Sequence, residues 1–210
     1  MTSASRPIIE LVDGRVEARW PEDRQGSGVA VDFESLALPG GVGALRAMPL
    51  VRACGRELAK GGATLVDATA GLGYDAYLLA RAGFRVIAIE RSPDVARLCA
   101  DAQRRARRES FELRVGDARE QLAALRPDVV YLDPMYPPKK RASALPPKEM
   151  QIVRAIVGDD LDAAELFAVA RASAPRVVVK RPLHAEPMGV PTSTIEGKLA
   201  RFDVYLRAGG

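Results

Sequence analysis

Histidine is nearly missing from these 210 residues: there is one, His184, beside only two cysteines, Cys54 and Cys99. A Ser–His–Asp relay or a histidine-built metal centre needs a positioned imidazole and several partners, so triad hydrolases and histidine-ligated metal enzymes are set aside and no metal is expected. The cysteines stand far apart among helix-forming residues. That fits neither a ligand spacing nor a disulfide framework and reads as two small buried apolar side chains. No run reaches the roughly 18 consecutive apolar residues of a membrane span, and the opening MTSASRP has no apolar signal stretch, so a soluble cytoplasmic protein without a membrane partner is expected. Charge of one sign is also scarce, since 31 Lys and Arg against 27 Asp and Glu leave a net of only +4. The basic residues are nevertheless bunched, in RRARR (104 to 108), KKR (139 to 141) and VKRP (179 to 182). Such clusters suit a polyanionic partner. Basic residues also complement the dipole at a helix end, and no aromatic is interleaved in 104 to 108 for base stacking.

An apolar share of 48% over this length is enough to bury one full core. Residues 1–42 mix short apolar stretches such as PIIELV with glycine and proline and read as a strand-and-turn extension, and residues 43–210 read as the main domain. The segment ALRAMPLVRACGRELAKGG has helical spacing at Leu45, Met48, Val51, Cys54 and Leu58, with Pro49 as the one dissonant residue. From Thr64 onward strand and helix patterns alternate: TLVDA, YDAYLLARAG, RVIAIE, a helix opened by Ser92 and Pro93, FELRV, AREQLAAL and DVVYLD. Next come DAAELFAVARAS, with Asp162 and Glu165 in capping-box spacing, and the strands PRVVVKR and FDVYL. Short, nearly all-apolar strands alternating with helices predict an α/β, doubly wound Rossmann-like fold with a mostly parallel sheet. The stretch PMYPPKKRASALPPK (134 to 148) has no periodicity and is expected to be a substrate-facing loop.

The first strand of that series runs into Gly71, Gly73 and Ala76 in G-x-G-x-x-A spacing and then a helix, an order that brings backbone amides and a helix N-terminus close to a nucleotide. About twenty positions downstream of Asp67, at the end of the second strand, Glu90 is placed to accept hydrogen bonds from both ribose hydroxyls of an adenosine. A glycine turn that merely connects strand to helix is the bland alternative, and an NAD site is the serious rival. Asp67 and Asp75 flank the turn, where carboxylates would repel a pyrophosphate and attract the sulfonium and amino group of S-adenosylmethionine. After the third strand, Asp117 with Ala118 could accept from the adenine amino group, or Asp117 could only cap the next helix.

The tetrapeptide DPMY, Asp133 to Tyr136, follows the strand VVYL directly. An exocyclic amino nitrogen on a base is a poor nucleophile because its lone pair is delocalised into the ring. The Asp133 carboxylate and the Pro134 carbonyl can accept its two N–H bonds, localise the lone pair and aim it at a methyl group, while Tyr136 stacks on the base. Asp-Pro alone is a common turn. An acid-proline-x-aromatic run at the end of the strand that follows an adenosine site is specific to amino methyltransferases. Lys139, Lys140, Arg141, Lys148, Lys180 and Arg181 are the candidate phosphate contacts.

These segments together, VDATAGLGYDAYLLA, VIAIERSP, VVYLDPMYPPKKRASALPPKEM, VGDDLDAAELFAVA and RVVVKRP with the terminal RFDVY, resemble the bacterial small-subunit ribosomal RNA guanine-N2 methyltransferases of the J type. The resemblance implies a class I methyltransferase fold and methyl transfer from S-adenosylmethionine, leaving S-adenosylhomocysteine, to a guanine N2 in 16S rRNA or the small ribosomal subunit. It implies cofactor contacts at Tyr74 with Asp75, Glu90 with Arg91, Asp117 with Ala118, and Asp133. Tyr74 stands where the family pattern has arginine. The alternatives are an amino methyltransferase acting on another nucleic acid or a protein amide, where such tetrapeptides normally begin with asparagine, and a non-catalytic module that binds an adenosine cofactor or RNA.

Overall fold

The computed structural model describes residues 6–107, 111–135 and 147–207. An N-terminal hairpin, β1 (Ile8–Val12) and β2 (Arg15–Arg19), forms its own two-stranded sheet. The helices α1 (Val42–Arg46) and α2 (Pro49–Lys60) lead into the alternating series β3 (Thr64–Asp67), α3 (Tyr74–Ala82), β4 (Arg85–Glu90), α4 (Pro93–Arg105), β5 (Glu112–Val115), α5 (Ala118–Leu125) and β6 (Val129–Leu132). Then come α6 (Lys148–Val157), α7 (Ala163–Ser173), β7 (Arg176–Pro182), β8 (Ser193–Glu196) and β9 (Ala200–Leu206). The seven strands of the main sheet lie in the order β5-β4-β3-β6-β7-β9-β8. The first five are parallel, while β9 runs antiparallel to both β7 and β8. This is the expected mostly parallel, doubly wound arrangement.

The apolar strands follow from burial on two faces. Leu65, Val129 and Val178 pack with Leu45, Cys54 and Leu79 under α1, α2 and α3. Their sequence neighbours Val66, Val130 and Val177 pack with Leu122 and Ala170 under α5 and α7. Side chains two apart share a face, so each strand supplies both layers and has no room for polar alternation.

Pro49 is not dissonant after all. The expected single helix is broken: α1 ends at Arg46, Pro49 opens α2 at its first position, where the missing N–H costs nothing, and α2 is itself kinked at Gly55, φ +111°. Ser92 caps α4 as expected, accepting from the Val95 N–H at 3.4 Å. Asp162 does not form the expected capping box; its carboxylate is drawn to Arg91 and Arg119 instead, because an ion pair outcompetes a neutral cap. The helix α6 directly follows the lysine- and proline-rich stretch and carries Ile152 and Val153 into the core beneath the N-terminal extension.

That extension is fastened by charge as well as by Val16, Val31 and Phe33. Asp101 on α4, buried, accepts from the Val16 N–H at 3.0 Å and pairs with Arg104 and Arg105 at 2.7 and 2.8 Å. The same arginines donate to carbonyls of the extension, Arg104 to Gly14 at 2.9 Å and Arg105 to Val31. Of the two readings of RRARR, the structural one therefore holds for Arg104 and Arg105. Burial works against the charge, yet the two guanidinium groups hold the Asp101 carboxyl below its ordinary value. Its contribution is complete above the ordinary aspartate range and fades as pH falls through the lowered value. Asp101→Ala should lower the unfolding free energy by about 3 kcal/mol and expose the hairpin to limited proteolysis, because it strands a buried N–H and two cations. Arg104→Ala, at a side chain 62% exposed, should cost under about 1 kcal/mol in the same urea titrations.

Candidate active site

Strand β3 is the point where the order of strand addition reverses, with β4 on one side and β6 on the other. Ligands of open α/β sheets bind beyond the carboxyl ends of strands at such a point. A cavity of about 330 Å³ lies there, bounded by the glycine turn, the ends of β4 and β6, and the helices α6 and α7. Gly73 begins α3 in a left-handed conformation, φ +85°, and a Cβ on it would stand 2.6 Å from Cys99 Sγ. Gly71, φ +52°, has the opposite surroundings: nothing stands nearer than 4.0 Å, so the backbone faces open cavity. A side chain at Gly71 would fill the space through which a ligand approaches.

Glu90 ends β4 buried at the cavity wall, with each oxygen held by a backbone N–H, Gly71 on Oε2 at 2.8 Å and Ser92 on Oε1 at 2.7 Å. Burial raises its carboxyl above the ordinary range, against the pull of those two donors. The turn is thus tied to the acid that lies across from it. A carboxylate fixed this way retains lone pairs for a vicinal diol.

Three more acids meet at the other end. Asp67, buried, accepts from the Thr69 N–H at 3.2 Å; desolvation first, then the nearby Asp75, pushes its carboxyl well above the ordinary value. Asp75 accepts from the Tyr131 hydroxyl at 2.6 Å and from Lys180 Nζ at 3.0 Å. Lys180 Nζ also reaches Asp133 Oδ2 at 2.8 Å, and the Asp133 N–H donates to Thr69 Oγ1 at 2.6 Å. Burial opposes the ammonium, but the Asp133 and Asp75 carboxylates outweigh it and raise Lys180 above its ordinary value. Burial likewise pushes the Asp133 carboxyl up, against the pull of Lys180.

Lys180 therefore corrects the sequence reading that put it among the phosphate contacts. On a strand, side chains two apart share a face, so Lys180 follows Val178 toward α3 and meets Asp75 instead of pointing outward. Lys148 pairs with Asp23 at 2.8 Å and donates to the Ser27 carbonyl at 3.0 Å, which engages it with the extension. Arg181 donates to the Glu186 carbonyl. Tyr136, Lys139, Lys140 and Arg141 lie outside the described residues.

At the remaining wall Asp117 both lines the cavity and caps α5, accepting from the Arg119 N–H at 2.8 Å, while the Arg119 side chain holds its carboxyl below the usual range. Ala118 is buried beside it. Arg91 pairs with Asp160, and with Asp162 at 3.0 Å. Asp160 in turn accepts from the Met135 N–H, so the end of β4 and the DPM segment share one carboxylate. Tyr74 borders the cavity with its ring 5.9 Å from Phe33, edge to face. Thr69, Tyr131, Arg119 and Asp160 went unnoticed in the sequence. Tyr131 sits inside the apolar run VVYL, and the others also engage partners distant in the chain, Thr69 with Asp133, Arg119 with Glu165 and Asp160 with Arg91.

The SAM-dependent methyltransferase family model matches residues 2–207. The chain is 43% identical to ribosomal RNA small subunit methyltransferase J of Thioalkalivibrio sulfidiphilus, over 97% of this chain and 86% of that protein. It is 46% identical to the protein of the same name from Shewanella amazonensis, over 86% of this chain and 79% of that one. The chain belongs to the ribosomal RNA small subunit methyltransferase J family. A SAM-dependent methyltransferase of Neisseria gonorrhoeae, 34% identical, superposes with a TM-score of 0.73 over 100% of this chain and 86% of its own.

The cofactor is accordingly S-adenosylmethionine, and the donor set fits it. An open backbone at Gly71, a buried acid at Glu90 and a cluster of carboxylates line the cavity, and with the family shown the NAD alternative falls away. Glu90→Ala should weaken S-adenosylhomocysteine binding by about 1–3 kcal/mol in calorimetry, since two hydroxyls lose a shared acceptor. Unchanged affinity would remove Glu90 from the cofactor site.

Proposed function

We propose that this protein transfers a methyl group from S-adenosylmethionine to the exocyclic N2 amino group of a guanine in 16S rRNA, free or within the small ribosomal subunit, in the cytoplasm. The names of its relatives support the RNA class. The observation that carries the chemistry is the fixed carboxylate of Asp133 at the end of β6, with its N–H tied to Thr69 and one oxygen held by Lys180. The bound cofactor supplies an electrophilic methyl on a sulfonium. Asp67 and Asp75 make that end of the cavity attractive to positive charge, Glu90 receives the ribose, and Gly71, Gly73 and Tyr74 border the approach. Asp117 and Ala118 form the wall assigned to the adenine, and Arg91 anchors that wall through Asp160 and Asp162.

Asp133 and the Pro134 carbonyl accept the two amino N–H bonds, which localises the nitrogen lone pair and directs it for in-line displacement. Tyr136 is assigned to stacking on the base, and Lys139, Lys140 and Arg141, with Lys148 and Arg181, to the RNA backbone. Residues 1–42 act as an extension of the methyltransferase domain at 43–210. Aspartate at the head of the tetrapeptide favours this reading over amide or adenine methylation.

Asp133→Ala should lower kcat on unmodified 16S rRNA by on the order of a hundredfold or more, about 3 kcal/mol of lost transition-state stabilisation, with the KM for RNA little changed. Asp133→Asn keeps one acceptor oxygen and should retain more activity than alanine. Wild-type rates in both variants at saturating cofactor would reduce Asp133 to a turn residue.

A further inference from the structure

Lys180 sits where charge is most crowded. Asp133 faces, among the described residues, Asp75 from α3, Asp67 at the end of β3, Tyr131 from β6, Asp160 from the segment between α6 and α7, and Lys180 from β7. Three of these five are carboxylic acids and one is a hydroxyl; Lys180 is the cation of the set. Its ammonium reaches Asp133 Oδ2 at 2.8 Å and Asp75 Oδ2 at 3.0 Å, and that second oxygen also accepts from the Tyr131 hydroxyl at 2.6 Å. Asp133 is thereby tied at two points, its N–H to Thr69 and its carboxylate to Lys180. A single strand-borne cation bridges α3, β6 and β7.

We propose that Lys180 is a positioning residue for methyl transfer: by bridging Asp75 and Asp133 it keeps Asp133 an oriented anion whose other oxygen faces the amino group, and it sets how strongly the acidic cavity prefers a cationic ligand over a neutral one. This rests on the role assigned to Asp133 above. The ammonium has a second consequence that does not depend on the RNA. S-adenosylmethionine carries a sulfonium and S-adenosylhomocysteine does not, so the cavity discriminates substrate from product by net charge. With Lys180 present, part of the negative charge of Asp67, Asp75 and Asp133 is compensated, and the bias toward the cationic form is moderated. That moderation keeps the substrate from being held too tightly as a ground state.

The test uses full-length Lys180→Gln and Lys180→Arg in two measurements. In calorimetry at mildly alkaline pH, Lys180→Gln should shift the affinity ratio toward S-adenosylmethionine over S-adenosylhomocysteine by about threefold or more, and Lys180→Arg should leave it near the wild-type value. In methylation of unmodified 16S rRNA at neutral pH, Lys180→Gln should lower kcat by about tenfold or more with the KM for RNA within about twofold of wild type. Removing the cation makes Asp133 easier to protonate, so the acid limb of the kcat profile should move to higher pH and activity should recover as pH rises. General damage to the fold would not be repaired by alkali. Lys180→Arg should keep the wild-type acid limb.

An unmoved acid limb together with an unmoved affinity ratio in Lys180→Gln overturns the proposal. So does a raised KM for RNA with kcat preserved, which would return Lys180 to the phosphate contacts. If Lys180→Gln does not fold, Lys180→Arg decides: a moved acid limb with the charge retained overturns the proposal, and an unmoved one supports it. Should the wild-type protein methylate no RNA, the proposed function fails, and the affinity ratio alone decides the role of Lys180.

Discussion

Three carboxylates, Asp67, Asp75 and Asp133, converge where β3 and β6 end, and like charges at such distances in a partly dry cavity oppose one another strongly. Several features of the sheet make sense as answers to that repulsion. The fifth strand in sheet order, β7, carries a lysine near its end on the face that looks at α3; Tyr131 donates a hydrogen bond from its hydroxyl to Asp75; Thr69 holds the Asp133 backbone. Clusters of perturbed carboxylates of this kind concentrate at functional sites. The sulfonium of S-adenosylmethionine has the charge that such a set of acids attracts.

The opposite end of the cavity is arranged by backbone donors. Glu90 is held by two N–H groups, so its orientation is settled by the turn at Gly71 and by the start of α4 at Ser92. A pre-oriented acceptor loses less entropy on binding than a mobile one. The wall between the two ends is an ionic lattice of Arg91, Arg119, Asp117, Asp160 and Asp162 that joins β4, α5 and α7. Through the Met135 N–H, Asp160 links this lattice to the segment that presents Asp133. The cavity wall and the segment that carries Asp133 are parts of one connected structure.

Much of the fold and part of the site could be read from the chain because they depend on local patterns. Alternating apolar strands and helices, the G-x-G-x-x-A turn and the acid at the end of the second strand are contiguous or regularly spaced signals. What escaped depends on distant partners. Asp162 matched a local capping pattern, yet Arg91, 71 residues away in sequence, and Arg119 claimed its carboxylate. Lys180 matched a basic cluster, yet strand parity turned it inward. Arg104 and Arg105 sit in a similar cluster, for which the helix-end reading is favoured, and they fasten the N-terminal extension. Charge clustering in one dimension does not say which charges share a face; only the period of the element and its neighbours do.

The account stands or falls on the atom that receives the methyl group. Unmodified 16S rRNA incubated with the protein and isotope-labelled S-adenosylmethionine, digested to nucleosides and resolved by mass spectrometry, reports it directly. The account predicts label in N2-methylguanosine and in no other nucleoside, formed on the order of a hundredfold more slowly when Asp133 is replaced by alanine. Label on a ring nitrogen, a ribose or an adenine, or no label in RNA from a protein that still binds S-adenosylhomocysteine, would contradict it.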